Sequence, residues 1–252
     1  MRYITPELLI KHRISDQLYP HWSAAIVCFL GYENSQTIVR KFNAKPIGYK
    51  IFYGLDEFSE CPSVYEATIG SEYIGIITRC VWGGPQAAIL VEELAYLGVQ
   101  YLIGCGAAGS LDPSLPKGQQ IVACSAIPVD GTSQSYSREL LLPEPKLADA
   151  VLKVGRNLQV DVHQVTVATI DALYRETESF ITKLRSQGIQ TINMETAPFY
   201  AASTVCGVKT IWIGHVSDSL TNTWNSWFTN QYEGRRSSAE VCLELLRFLF
   251  QC

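Results

Sequence analysis

The sequence predicts an α/β protein built on a mixed, largely parallel sheet. Short apolar runs of strand length alternate with longer segments of helical period along most of the chain. Hydrophobic residues make up 47% of the 252 and charged residues 17%, which supplies apolar material for a sizeable core. No repeat, low-complexity linker or break in composition divides the chain, so residues 1–252 are expected to form one domain.

In order, residues 1–22 read as an arm carrying a short helix, ELLIKHR, behind Pro6. Residues 24–30 form the first core strand and stop at Gly31. The segment YENSQTIVRKF enters a helix, with Asn34 or Ser35 as N-cap. Residues 45–53 and 64–69 alternate as strands with one exposed side do. A further strand over 72–81 is broken by Trp82-Gly83-Gly84-Pro85, and 86–97 carries apolar residues at i, i+3 and i+4 as an amphipathic helix does. The strand VQYLIGC then runs into GAAGSL, read as a tight loop of small residues before Asp112-Pro113. Strands over 119–127 and 164–170, helices over 145–157 and 177–187, and a C-terminal helix over 237–250 with a strongly apolar face complete the pattern.

A formal charge of −4 and a pI near 5.6 argue against nucleic acid as the main partner, since phosphate binding wants a basic surface. No apolar run reaches the roughly 18 residues of a membrane helix, and the first residues lack a signal-peptide core. A cytoplasmic protein with no membrane partner is the expectation. Eight cysteines and four histidines are scattered without CxxC, HExxH or clustered spacing, which predicts reduced thiols and no metal site. The dinucleotide fingerprint G-x-G-x-x-G is missing after the first strand, where Gly31 stands alone, so a nicotinamide cofactor is not expected.

The densest chemistry lies between residues 190 and 220. A short apolar run leads into Met194-Glu195, small residues form a helix up to Cys206-Gly207, and residues 210–216 form a strand ending at Ser217-Asp218. Two strands thus each deliver a carboxylate, Glu195 and Asp218, at the sheet edge where α/β proteins bind ligands. Such a pair suits one acid that grips a substrate and one that manages a proton. The competing reading has Glu195 capping its helix and Asp218 capping a turn. His215 alternates onto the face of Ser217, away from Asp218, and reads as a core histidine.

Taken together, WGGPQAAILVEELAYLGV, GCGAAGSL, the strand-end Asp171, NMETAPFYAAS and HVSDSL resemble, in order and spacing, the nucleoside phosphorylases and nucleosidases of the uridine/purine nucleoside phosphorylase type. The resemblance spans residues 24–220. It implies one α/β domain around a distorted, barrel-like sheet flanked by helices, assembled as homodimers or homohexamers with shared active sites. It also implies cleavage of the bond between a base and C1′ of ribose in a small-molecule nucleoside. Glu195 would take the ribose hydroxyls with Met194 packed on the sugar, and Asp218, oriented by Ser217, would protonate the leaving base at purine N7. Asp171 and Tyr174 would line the base pocket, and Gly84, Gly106, Ala107 and Ala108 would let the backbone approach sugar and nucleophile. An Asp at position 218 resembles the purine-cleaving members.

The departures concern the nucleophile. The phosphate arginine that the family carries two residues before Gly106 is Gly104 here, the phosphate threonine is Ala107, and the G-D-x-x-R loop reads Gly31-Tyr32-Glu33-Asn34-Ser35. A dianion without guanidinium partners forfeits its strongest hydrogen bonds. Water is therefore favoured over phosphate as nucleophile, with Glu33 or Gln36 near the position from which the hydrolases of the family activate it. Two alternatives stand beside this: phosphorolysis with Arg40, Arg79 or Arg235 as phosphate ligands, and a non-catalytic binding or storage homologue, to which the Trp224–Trp227 segment points. No organic cofactor is implied, phosphate being the one co-substrate in question.

Overall fold

The computed structural model describes residues 2–55, 61–80, 83–226 and 232–250. In chain order its strands are β1 (Trp22–Cys28), β2 (Lys45–Pro46), β3 (Val64–Ile69), β4 (Glu72–Ile77), β5 (Tyr101–Ser110), β6 (Gln120–Pro128), β7 (Val162–Thr169), β8 (Thr191–Asn193) and β9 (Lys209–Ser219). The helices are α1 (Pro6–Arg13), α2 (Tyr32–Lys41), α3 (Gly84–Tyr96), α4 (Pro145–Leu158), α5 (Glu178–Ser186), α6 (Thr196–Cys206) and α7 (Tyr232–Phe250).

The strands form one sheet in the order β2-β3-β4-β1-β5-β8-β7-β6-β9, and a further pairing of β5 with β9 closes the last five into a ring. Pairings of β1 with β4 and β5, β5 with β9, and β7 with β6 and β8 are parallel. Those of β2 with β3, β3 with β4, β5 with β8, and β6 with β9 are antiparallel. The expected mixed, barrel-like α/β sheet is therefore observed. Along β1, successive side chains serve two cores: Ala25 and Val27 join the cluster that holds α3 and α6, whereas Ala24, Ile26 and Cys28 join that of α2, α4 and α7. Such two-sided burial is why these runs read as continuously apolar.

Where β5 meets β9, the glycines have a specific cause. Trp212 is fully buried, and a Cβ placed on Gly104, Gly106 or Gly214 would come within 2.7, 2.9 and 2.5 Å of its indole. Gly104 is the direct cross-strand partner of Trp212. Three glycines thus leave a flat bed for one large ring, and the strand they weaken individually gains the area that ring buries. This also corrects the reading of GAAGSL, which is no loop: β5 continues to Ser110.

Other boundaries shift for local reasons. The strand expected over 45–53 stops after Pro46, and the Tyr53 N–H turns instead to both carboxyl oxygens of Glu93 at 3.2 Å. The N-cap of α2 is Gly31, while Ser35 lies within the first turn and donates to the carbonyls of Leu30 and Gly31 at 3.0 and 3.1 Å. The strand expected over 72–81 ends at Ile77, and Val81 and Trp82 lie outside the described residues.

The packing predicts that Gly214→Ala, whose Cβ would meet the Gly106 carbonyl and the Trp212 ring at 2.5 Å each, destabilises the fold by about 1–3 kcal/mol or more in urea unfolding. Glu93 generates a second prediction. Burial raises its carboxyl from 4.5 to about 7, against the opposing Tyr53 N–H and the Arg13 charge. A folded-state value above the unfolded one gives stability that is complete below pH 4.5 and is lost as pH rises through 7. Thermal unfolding followed from pH 4.5 to 8 should therefore show a falling midpoint, and Glu93→Gln should reduce that fall by the equivalent of about 1–3 kcal/mol.

Candidate active site

At one end of the ring, β5, β8 and β9 deliver their last residues to a single cavity of about 420 Å³. Ala107, Ala108 and Gly109 come from β5; Ile192 and Asn193 with the following Met194 and Glu195 from β8; Ser217 and Asp218 from β9. Phe29, Leu173, Tyr174, Glu176, Leu220 and Trp224 complete the wall.

The position of Glu195 depends on Asn193. The side-chain oxygen of Asn193 accepts from the N–H groups of Glu195 and Thr196 at 3.4 and 3.3 Å, and Thr169 Oγ1 accepts from that of Ala197 at 2.9 Å. These two side chains satisfy the exposed donors at the start of α6. Glu195 occupies the N-cap position without making a cap bond, so its carboxyl is free to serve the cavity. The Gly83 N–H reaches Oε1 at 3.3 Å and the Met194 N–H reaches Oε2 at 3.2 Å. Burial still dominates and lifts the carboxyl to about 7, the two N–H groups pulling the other way.

Asp218 enters the cavity through an irregularity. The pairing of β5 with β9 runs from Tyr101↔Lys209 to Ala108↔Val216 and then skips to Gly109↔Asp218, so Ser217 is an extra residue. A bulge of this kind re-aims the strand, which is why the consecutive Ser217 and Asp218 both line the cavity. Gly109 leaves room there for Leu220, whose Cδ1 would lie 2.8 Å from a Cβ at that position. The Ser217 hydroxyl donates to Oδ1 at 2.6 Å, and the Trp224 indole N–H donates to Oδ2 at 2.9 Å. Trp224 is held over the acid because the chain folds back on β9, Ser219 and Asn225 exchanging backbone hydrogen bonds of 3.1 and 2.9 Å. Neither acid therefore spends its carboxyl on capping a helix or turn.

Of the residues singled out in the sequence, Glu195, Asp218, Met194, Ser217, Tyr174, Ala107 and Ala108 share this cavity, Tyr174 on its rim at 95% exposure. Three do not line it. Asp171 accepts the Gly131 N–H at 2.7 Å and anchors a loop. Gly84 lies where α3 meets Pro198 of α6 and Thr132, 2.9 and 3.0 Å from the position of a Cβ, and so permits helix packing. Gly106 lies under Trp212. His215 is buried against Gly234 of α7. Glu33 is exposed and Gln36 donates to the Tyr65 hydroxyl at 3.3 Å, neither reaching the cavity. Trp227 lies outside the described residues.

Sequence reasoning missed Glu176, Asn193 and the contact of Trp224 with Asp218. Glu176 sits among charged residues just before the N-cap Thr177 of α5 and reads as a solvated charge. Burial raises its carboxyl to about 7, helped by the negative Asp218. The described lining thus holds three carboxyl groups and no Lys, Arg or His. No group of three or more His, Cys, Asp or Glu among the described residues is arranged to hold a metal, and no described helix is long and apolar enough to cross a membrane.

The chain is 30% identical over 175 residues to an uncharacterised protein of Acanthamoeba polyphaga mimivirus, spanning 68% of this chain and 69% of the relative. It is 26% identical over 193 residues to the uridine phosphorylase of Thermococcus kodakarensis, spanning 69% and 66%. Among solved structures, the purine nucleoside phosphorylase of Toxoplasma gondii in complex with immucillin-H superposes with a TM-score of 0.78 at 19% identity, over 94% of this chain and 98% of that one. The phosphorylase superfamily model matches residues 25–247, from the first core strand to the last helix, and with this sheet and this extent of match the chain belongs to the phosphorylase superfamily.

Proposed function

We propose that this protein cleaves the N-glycosidic bond of a purine nucleoside and transfers the ribose to water. The observation that carries the reading is the acid-only lining: Glu176, Glu195 and Asp218 surround the cavity with no cationic residue of the described chain beside them. A phosphate dianion entering there would find carboxyl groups on several sides and no guanidinium among the described lining residues. Position 104, where the family places its phosphate arginine, is a glycine whose side-chain space belongs to Trp212, Phe199 and Phe29.

The same charge suits the other half of the reaction. As the bond from C1′ to the base breaks, its electron pair leaves with the base and the sugar becomes cationic. Carboxylates pre-oriented around that cation stabilise it without reorganisation. Glu195 accepts hydrogen bonds from the ribose hydroxyls, and Met194 packs against the sugar. Asp218 in its protonated form gives its proton to N7 of the departing purine. The Ser217 hydroxyl and the Trp224 indole hold its carboxyl in one orientation and stabilise the charge left behind. Water adds to C1′ and sheds a proton, which restores the acid.

A second reading, phosphorolysis, is favoured by the name of the Thermococcus relative, a uridine phosphorylase. The two part on product and on phosphate. Incubation with inosine, guanosine and adenosine, with and without phosphate, should release free base and ribose at a rate indifferent to phosphate. Ribose 1-phosphate formed only when phosphate is present would establish phosphorolysis, and no base under any condition would leave a binding protein. Asp218→Asn should lower kcat/KM by about 10²–10⁴-fold, the usual worth of a positioned general acid. Trp224→Phe, which removes one donor to Asp218 and keeps the ring, should lower kcat by about 10-fold or more and change KM less.

A further inference from the structure

Trp224 fixes Asp218, yet the turn that carries it has little of its own to hold it. Residues 220–226 read LTNTWNS, mostly polar, and Trp224 is 52% exposed. Inside the turn, Ser219 and Asn225 exchange their backbone bonds, and the Ser219 and Thr221 hydroxyls meet at 3.0 Å. Both ends are gripped from outside. At the end nearer Asp218, Leu220 gives its N–H to the Ser110 carbonyl at 2.8 Å and packs on the cluster that holds Ile181 and Leu184 of α5. The Arg185 guanidinium, from the last turn of α5, donates through Nη2 to the Leu220 carbonyl. At the far end the Lys117 ammonium donates to the Ser226 carbonyl.

The Leu220 carbonyl is the one described hydrogen-bond partner of the Arg185 side chain, whose Nε lies buried without another. An arginine in a last helical turn suits the helix dipole, but that interaction asks for no contact with a strand tip. Here a guanidinium gives up water to hold a single main-chain oxygen, and bonds from a charged donor are stronger than neutral ones. That oxygen lies between Asp218 and Trp224 in the chain, so its position sets where the turn leaves β9. We propose that Arg185 is a positioning residue for the general acid, holding the Leu220 carbonyl from α5 so that the turn lays the Trp224 indole on the Asp218 carboxyl. The role rests on the nucleoside reading above, in which Asp218 supplies the proton.

The test follows the indole N–H of Trp224 by NMR in the full chain, its signal assigned by its loss in Trp224→Phe, alongside base release from inosine, guanosine and adenosine. Arg185→Ala should move that signal toward the position of a free indole and speed its exchange with water. It should lower kcat about tenfold or more, as loss of one donor to a charged group does, and leave KM within about twofold. Arg185→Lys, which keeps a charged donor, should recover much of both. In the Trp224→Phe background, Arg185→Ala should lower kcat by less than about twofold further, because the two residues act on one bond. Should Arg185→Ala fail to fold, Arg185→Gln, which keeps a neutral donor, carries the comparison. An indole signal unchanged on loss of the guanidinium, or losses that multiply in the double variant, overturns the proposal. A wild type that releases no base refutes cleavage alone, and the indole signal then decides whether Arg185 sets Trp224 on Asp218.

Discussion

The parallel pairing of β5 with β9 is the constraint on which the rest of the molecule depends. It closes five strands into a ring, provides the bed for Trp212, and carries the extra residue that turns Asp218 inward. The three glycines under Trp212 leave little slack, because a close-packed interior transmits any added volume to its neighbours. Tyr200 fastens the next layer to the same place. Its hydroxyl donates to the Ala123 carbonyl of β6 at 2.7 Å and accepts the Trp212 N–H at 2.9 Å, so α6 is pinned to both β6 and β9. The helix that follows Glu195 and the strand that ends in Asp218 thereby share one rigid frame.

Within that frame, the division of hydrogen bonds decides what the acids can do. An Asp or Glu at a helix start ordinarily pairs with the backbone donors there. Asn193 and Thr169 take that task at α6, which leaves the Glu195 carboxyl turned toward the cavity. Asp218 is oriented by a hydroxyl and an indole rather than by a cation. Both arrangements leave the carboxyls facing the cavity, and both come from residues with no charge of their own. Burial raises the carboxyls of Glu195 and Glu176, and the charge of the neighbouring Asp218 adds to the second.

Gly104 is held to a glycine by what stands beside it. The space behind position 104 is filled with aromatic side chains, and Phe29 joins Phe199 edge to face at 5.5 Å between ring centres. That packing makes the apolar filling part of the core.

The sequence by itself determined the class of fold, most of its helices and strands, and the meeting of Glu195 with Asp218. All of these rest on local period, on glycine and proline punctuation, and on the tendency of ligands to gather at strand ends. It misjudged GAAGSL, because small residues look like a loop until Trp212 is seen lying on them. It could not foresee the bulge at Ser217, since strand alternation carries no mark of an inserted residue. Nor could it place Gly84, Gly106 and Asp171, whose neighbours Pro198, Trp212 and Gly131 are distant in sequence. Glu176 was hidden for the same reason. Exposure, partnership and a shared cavity are properties of three-dimensional neighbours, and only the closed sheet brought the loop after β7 to the tip of β9.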